Sequence, residues 1–199
     1  MKRKADHDER GLTPDTCALI MVDYQTDFIA TINPLERGNL IENAVSLAKT
    51  AKAFAVPTVL TTIGENRDGG RLLPEIQLLF PKRQPFKRFI LSMWGDRRVG
   101  LAIRKSGRKK LVMAGLWTDF GFAPSVTQAL KNGYEVYVVS DACADLNAMA
   151  HEMSIHRMVE AGAVPIKRLE LFLDLSAGDE TVMARVQQEF EMGGQLLMA

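Results

Sequence analysis

The chain alternates short apolar runs with longer segments in which apolar residues recur every three or four positions. The runs are bounded by turn residues and rich in β-branched side chains, which is typical of buried parallel strands. The segments between them are typical of amphipathic helices. The pattern predicts a three-layer α/β/α domain with a mainly parallel central sheet and Rossmann-like topology. The predicted strands are CALIMVDY (17–24), PTVLTTI (57–63), KKLVMAG (109–115), EVYVVSDA (135–142) and VPIKRLE (164–170).

The helical pattern is clearest in residues 39–54, where apolar side chains share one face. Further helices are predicted over 72–80, 96–107, 125–133, 148–162 and 179–191, whereas the rest of 64–93 follows no regular pattern. Residues 1–13 are charged at their start and contain no long apolar run, which predicts a flexible N-terminal arm. Residues 14–199 are predicted to form a single domain without a linker or repeat.

Composition narrows the possible partners and the compartment. The 199 residues are 47% hydrophobic and 25% charged, as in one globular domain, and a net charge of +1 gives no reason to expect nucleic acid or a membrane surface as partner. No apolar run reaches the roughly 20 residues that span a bilayer, and the start lacks the apolar stretch of a secretory signal. Cys17 and Cys143 are too few for a disulfide framework, so a cytoplasmic location is predicted.

Three predicted strands end in chemically rich sequence: VDYQTDF (22–28), AGLWTDFG (114–121) and VSDACAD (139–145). Because parallel strands bring their carboxyl ends to one edge, a ligand site is expected there. Asp23 is the first candidate, since a carboxylate at the end of a buried strand has a raised pKa unless a cation pairs with it. A structural carboxylate is the ordinary alternative. Lys87 is the nearest candidate cation, and Arg88 beside it is a competing choice that the sequence leaves open.

Four motifs in order, VDYQTDF, PFKRFILSMWGD, AGLWTDFGF and GYEVYVVSDACAD, resemble the motif set of the isochorismatase-like (cysteine hydrolase) superfamily, over roughly residues 14–172. AGLWT, GYEVYVV and HRMVEAGAVPI are most similar to its YcaC-type branch. The resemblance implies a triad in which an aspartate deprotonates a cysteine thiol and a lysine stabilises the charged state. Carried over by motif, Asp23 takes the place of the aspartate and Lys87 takes the place of the lysine. The nucleophile position falls on Gly121, so the covalent amidase mechanism cannot operate in this chain.

The turn that holds Gly121 remains a candidate for other chemistry. Backbone N–H groups around Thr118 and Gly121 are expected to act as oxyanion-type donors. The resemblance also implies a non-proline cis peptide between Trp117 and Thr118. Cys143 is a possible substitute thiol, although most free cysteines are small buried hydrophobes.

The true isochorismatases of the superfamily also have glycine at the nucleophile position. They hydrolyse a vinyl ether, with the aspartate as general acid. This chain has Thr118 and Asp119 where they have Ala-His, and an added acid beside an anionic substrate is unfavourable. Isochorismate-type hydrolysis is therefore a lesser hypothesis.

Aromatic side chains near the motifs are predicted to line the substrate pocket, namely Phe28, Trp94 and Trp117, with core packing as an equal alternative. No metal is predicted. The zinc-binding Asp-x-His pattern of nicotinamidases would fall in residues 61–76, which contain no histidine, and His151 and His156 lie about 140° apart around one helix. No cofactor is predicted either.

Two functions compete. The first is a hydrolase of an unidentified small-molecule substrate, with Asp23 as general acid or base, Lys87 as its electrostatic partner and water as the attacking group. The second is a non-catalytic descendant that binds a small molecule or builds an oligomer. The resemblance makes a homo-oligomer the expected assembly in either case.

Overall fold

The computed structural model describes residues 11–64 and 70–176, which form a six-stranded, wholly parallel sheet flanked by helices. The strands follow the order β3-β2-β1-β4-β5-β6. The predicted fold class is confirmed, and each of the five predicted strands is present, although the last one ends at Ile166 and residues 168–170 of its predicted span begin a helix. The strands are β1 (Cys17–Val22), β2 (Thr58–Ile63), β3 (Phe86–Arg88), β4 (Lys110–Gly115), β5 (Glu135–Val139) and β6 (Val164–Ile166).

Seven α-helices lie within the described residues: α1 (Thr26–Thr31), α2 (Pro34–Ala53), α3 (Pro74–Leu79), α4 (Arg97–Lys105), α5 (Ala123–Lys131), α6 (Ala148–Glu160) and α7 (Arg168–Ser176). Helix α2 begins five residues before its predicted start at 39. The carboxamide oxygen of Asn33 accepts a hydrogen bond from the backbone N–H of Leu35 at 3.1 Å, and Pro34 occupies the first turn. This cap and a proline without an N–H to satisfy set the start of the helix.

The strand β3 lies in the stretch that the sequence pattern left irregular. It has three residues and pairs with β2 through Thr61 opposite Phe86 and Thr62 opposite Lys87. Three residues are too few to show the alternation of apolar and polar positions by which a strand is recognised. Successive residues of β3 nevertheless point to opposite faces of the sheet, and this alternation determines which side chains of residues 86–88 point into the core.

The helices form two layers around the sheet. Helices α3 and α7 pack against α2 on one side, and α5 packs against α6. Right-handed crossovers between parallel strands place α2 and α5 on opposite faces, because β2 and β5 lie on opposite sides of the β1–β4 pair. All six residues of β1 are buried between these layers.

The strand order reverses direction between β1 and β4. These strands are neighbours in register, with Val22 opposite Gly115, although β2 and β3 intervene in the sequence. In an open parallel sheet the connections that follow two such strands diverge to opposite faces and leave a crevice at the carboxyl edge. The segments after Val22 and Gly115 are therefore where a ligand site is expected.

The chain is packed from its first described residues. Leu12 is 1% exposed, and the Thr16 hydroxyl donates to the carbonyl of Gly11 at 2.7 Å. Residues 1–10 of the predicted arm and the predicted helix over 179–191 lie outside the described residues. Within the described ranges, no helix is both long and apolar enough to cross a membrane.

Candidate functional site

Asp23 lies directly after β1 at the reversal of strand order. Its side chain is buried, with the residue 5% exposed, and its backbone is in the left-handed region at φ 61°. The Asp23 N–H donates to the carbonyl of Thr61 in β2 at 3.0 Å, and the Thr61 hydroxyl lies 3.5 Å from Oδ1. Left-handed backbone is uncommon outside glycine and is found where surrounding contacts impose it. The end of β1 thus turns the Asp23 side chain into the interior of the protein.

Arg88, and not Lys87, is the charge partner of Asp23. The Arg88 guanidinium donates through Nη2 to Asp23 Oδ2 in a buried ion pair, and Arg88 is 1% exposed. Lys87 is exposed. The role predicted for Lys87 is therefore wrong, because successive residues of β3 point to opposite faces and, of the two candidate cations, Arg88 is the one that points inward.

Burial determines the protonation behaviour of Asp23. Desolvation raises the pKa of this carboxyl from 3.8 to about 6, while the Arg88 charge and hydrogen bond and the Thr61 hydroxyl act in the opposite direction. The cost of removing the carboxylate from water exceeds the attraction of the guanidinium. Asp23 can therefore both hold and release a proton near neutral pH, as a general acid or base must.

The Arg88 guanidinium also organises the loop after β3. Its Nη1 donates to the backbone carbonyls of Ile90 and Leu91. Its Nε is buried and has no hydrogen-bond partner among the described residues. The side chains of Phe89 and Ile90 in this loop are exposed. The same cation thus pairs with Asp23 and fixes the loop after β3.

Gly121 lies in a single turn of π-helix, Thr118–Phe122, which we call the 118–122 turn. A Cβ on Gly121 would contact only the carbonyl oxygen of Leu91, at 3.4 Å. The nucleophile position therefore faces the loop held by Arg88. The cis peptide predicted between Trp117 and Thr118 is absent, as the described residues contain no cis bond, and Trp117 instead adopts a left-handed backbone conformation (φ 49°).

The oxyanion donors predicted in this turn are not free. Every backbone N–H from 118 to 121 already donates to an acceptor within the protein. In chain order, the acceptors are the carbonyl of Ala144 (3.3 Å), the carboxylate of Asp145 (2.6 Å) and, for the last two, the carbonyl of Trp117 (3.0 and 3.2 Å). The hypothesis that Thr118 and Gly121 form an oxyanion hole is therefore wrong for this conformation, because Trp117, Ala144 and Asp145 already accept the hydrogen bonds of these donors.

Cys143 does not replace the missing thiol. It is buried, and desolvation raises the pKa of its thiol to about 12, so the reactive thiolate is negligible at neutral pH. Its sulfur accepts a hydrogen bond from the Gly115 N–H at 3.4 Å. Cys17 is also buried, with a pKa raised to about 11. Both cysteines are packing residues.

The three predicted pocket aromatics separate into two groups. Phe28 is buried and stacks on Trp117 with ring centroids 4.2 Å apart, and the Trp117 indole N–H donates to the Thr31 hydroxyl at 3.1 Å. This pair joins α1 to the 118–122 turn. Trp94 instead donates to the carbonyl of Ser125 at 2.8 Å and packs on Tyr134. These contacts are those of a packing side chain.

A second polar cluster, which was not anticipated, surrounds Asp145. Its Oδ2 accepts from the Thr118 hydroxyl at 2.9 Å and from the Asp119 N–H, while Oδ1 accepts from the Leu146 N–H at 2.7 Å. The Thr118 oxygen also lies 3.3 Å from His151 Nδ1. The sequence contains one indication of this cluster, the acidic residue at the end of VSDACAD. Nothing in the neighbouring sequence shows, however, that this carboxylate points toward the end of β4.

A pocket of about 280 Å³ opens beside this cluster. It is lined by Asp119, Asn147, Met149, Ala150, Met153 and Arg157. Two of these residues, Arg157 and Asp119, form an ion pair with each other. Among the described residues, no group of three or more His, Cys, Asp or Glu side chains has the arrangement of a metal site.

The sequence and the fold both match known proteins. The isochorismatase domain family matches residues 17–169. The curated relatives include the probable hydrolase YcaC of Escherichia coli K12, 29% identical over 76% of this chain and 74% of the relative. They also include a probable isochorismatase of Pseudomonas chlororaphis, 23% identical over 82% of this chain and 88% of the relative.

Solved structures give the same assignment. The YcaC structure from E. coli, described as an octameric hydrolase of unknown specificity, superimposes with a TM-score of 0.82 at 25% identity, covering 94% of this chain and 97% of that one. The Pseudomonas aeruginosa YcaC, solved with hexane-2,5-diol and covalent acrylamide, gives a TM-score of 0.78 at 27% identity, covering 90% and 96%.

Proposed function

Because the chain belongs to the isochorismatase family, we propose that it hydrolyses a small molecule without a covalent enzyme intermediate. Asp23 is the general acid–base group, and water is the attacking group. The observation that supports this most directly is the buried Asp23–Arg88 pair, with a carboxyl pKa near 6, at the reversal of strand order. Gly121 excludes the thiolate route, which leaves the carboxyl as the acid–base group of the site.

Arg88 takes the electrostatic part that the resemblance assigned to a lysine. Its guanidinium lowers the cost of ionising Asp23, so that the carboxyl can release its proton to a substrate atom or accept one from water. Since the backbone donors of the 118–122 turn are engaged, we expect no oxyanion of the acyl-transfer type to be stabilised there. The chemistry that suits this site is proton transfer at a leaving group or at an enol ether, followed by attack of water.

The test is a turnover assay on a panel of small amides, esters and enol ethers, with product release followed by mass spectrometry. Asp23→Asn is expected to lower kcat by about 100-fold or more on any substrate that is found. Lys87→Met is the matched control, because Lys87 is exposed and neighbours the working cation. Equal activity of wild type and Asp23→Asn would contradict the proposal. Turnover restricted to enol ethers would favour the isochorismate-type alternative.

A non-catalytic binding protein is the second candidate, favoured by one observation. Both Nη atoms of Arg88 and all four backbone N–H groups of residues 118–121 have acceptors within the protein. In that case the same panel would give no turnover, while some compounds would raise the melting temperature of wild type and of Asp23→Asn alike. If the compounds stabilised wild type but not Asp23→Asn, this result would favour an active site at Asp23.

We also propose that the chain forms a homo-oligomer, supported by the octameric description of the E. coli YcaC structure. Light scattering coupled to size-exclusion chromatography is expected to give a mass of at least twice the 22.1 kDa of one chain, in a whole-number ratio to it. A mass of one chain across micromolar concentrations would contradict this proposal and leave the hydrolase proposal untouched.

A further inference from the structure

We propose that Asp145 is a positioning residue for the Asp23–Arg88 site, and that through the Thr118 hydroxyl it also fixes His151 as the tautomer that carries its proton on Nδ1. The first half of this inference rests on the proposed function, because it assigns Asp145 to the support of a working Asp23. Neither readout below needs turnover, so its failure can be distinguished from failure of the hydrolase proposal.

Asp145 is well placed to hold the 118–122 turn. It is buried and accepts three hydrogen bonds, two of which come from the first two residues of the turn: the Thr118 hydroxyl and the Asp119 N–H. The third comes from the Leu146 N–H, which anchors the carboxylate to its own segment. The carboxylate therefore joins the segment after β5 to the segment after β4. A charged acceptor makes stronger hydrogen bonds than a neutral one, and burial reduces competition from water.

Contacts continue from this turn to the ion pair. Gly121, three residues after Thr118, faces the carbonyl of Leu91, which accepts a hydrogen bond from Arg88. The Gly121 carbonyl accepts from the Ser125 hydroxyl at 2.8 Å, and Ser125 Oγ accepts from the Met93 N–H at 3.0 Å. The turn therefore supports the loop that Arg88 holds through the carbonyls of Ile90 and Leu91. Loosening the turn is expected to admit water to the carboxyl of Asp23.

The hydrogen bonds of the Thr118 hydroxyl determine the tautomer of His151. A threonine hydroxyl has one proton, and that of Thr118 is directed to Asp145 at 2.9 Å. The contact between Thr118 Oγ1 and His151 Nδ1 at 3.3 Å then requires Nδ1 to be the donor. Desolvation lowers the pKa of His151 below 6.5, although Asp145, Glu152 and Glu36 act in the opposite direction. A neutral ring with its proton on Nδ1 leaves Nε2 as a basic acceptor.

The first experiment is ¹⁵N NMR of the histidine rings at pH 8 in the full chain. The chain has three histidines, so a His151→Gln spectrum assigns the signal. Wild type is expected to show a proton-bearing Nδ1 and a bare Nε2. Thr118→Ser, which keeps a hydroxyl, should retain this pattern, and Thr118→Val should lose it. A proton on Nε2 in wild type would overturn the tautomer assignment without recourse to any variant.

The second experiment follows the Asp23 carboxyl by ¹³C NMR titration. In Asp145→Asn its pKa is expected to fall from about 6 toward 3.8, because water reaches the carboxyl. Asp119→Asn is the matched control, since it removes one negative charge from the same turn but keeps the Asp119 N–H bond to Asp145. Equal shifts in both variants, or none in Asp145→Asn, would overturn the positioning role. If Asp145→Asn does not fold, Thr118→Val is titrated instead, and an unchanged Asp23 overturns the role.

Discussion

Arg88 stabilises the site in two ways, since its guanidinium pairs with Asp23 and donates to the carbonyls of Ile90 and Leu91. Arg88→Met removes these interactions and leaves a buried carboxyl without its cation. We expect the free energy of unfolding, measured by urea denaturation at pH 7, to fall by about 3 kcal/mol or more. Lys87→Met, at the exposed neighbouring position, should change it by less than about 0.5 kcal/mol. Similar small effects of both substitutions would contradict the structural role of Arg88.

Gly121 offers a direct test of whether the nucleophile position is preserved. Its backbone is not in the left-handed region, and an added Cβ meets only the Leu91 carbonyl, at 3.4 Å, so a side chain is expected to be tolerated. Gly121→Cys should react with iodoacetamide about 100-fold faster than Cys143, whose thiol has a pKa of about 12. Gly121→Ala controls for the substitution itself and should react no faster than wild type. A Gly121→Cys thiol as slow as Cys143 would show that the position is closed to reagents.

At the scale of elements, an aromatic stack joins α1 to the 118–122 turn. Phe28 and Trp117 stack with centroids 4.2 Å apart. A double-mutant cycle with Phe28→Leu and Trp117→Leu is expected to give a coupling of about 1 kcal/mol in the free energy of unfolding. Phe28→Leu with Trp94→Leu is the matched control and should be additive, because Trp94 packs on Tyr134 instead. Coupling of equal size in both cycles would mean that the effect is not specific to the stack.

Most elements of the fold could be predicted because each repeats a local pattern over enough residues. Examples are the six apolar residues of β1 and the long α2, whose buried residues recur every three or four positions. The choice between Lys87 and Arg88 could not be predicted, because it depends on which face of β3 each residue occupies. A strand of three residues carries no alternation to settle that choice, and a register change of one residue exchanges the two side chains.

The 118–122 turn shows a second limit of local pattern. The N–H groups of its first two residues donate to Ala144 and Asp145, which follow another strand, so the sequence of the turn does not reveal that these donors are occupied. The family resemblance located Asp23 and Gly121, which are fixed by the ends of β1 and β4. The resemblance did not identify the side chains and carbonyls from other parts of the fold that contact Asp23 and the 118–122 turn.

At the scale of the whole molecule, the topology brings together groups that are distant in sequence. Asp23 and Arg88 are 65 residues apart and meet only because β1, β2 and β3 are neighbours in the sheet. The fold must therefore supply the free energy needed to bury an ionised carboxylate. That cost is measurable, because it makes the stability of the entire domain depend on the protonation of one residue.

The sign of this dependence follows from the raised pKa of Asp23. The folded state binds the proton more tightly (pKa about 6) than a carboxyl of ordinary pKa 3.8 does, so the stabilising contribution is fully present below pH 3.8 and is lost as the pH rises through 6. The free energy of unfolding of wild type minus that of Asp23→Asn should therefore fall between pH 4 and pH 7 and level off above it. Urea denaturation of both proteins across this range measures the difference, and other titrating groups cancel.

Arg88 determines where on the pH axis this loss occurs. Because its charge lowers the pKa of Asp23, Arg88→Met should extend the fall of the difference curve to higher pH, so that the curve levels off at a higher pH than in wild type when the Asp23→Asn comparison is repeated in that background. A curve that levels off at the same pH in both backgrounds would mean that the guanidinium and the carboxyl are not coupled in solution. If the wild-type difference instead rises with pH, attraction to Arg88 outweighs burial. Asp23 would then be ionised throughout the neutral range and suited to accept a proton from water but not to donate one to a leaving group.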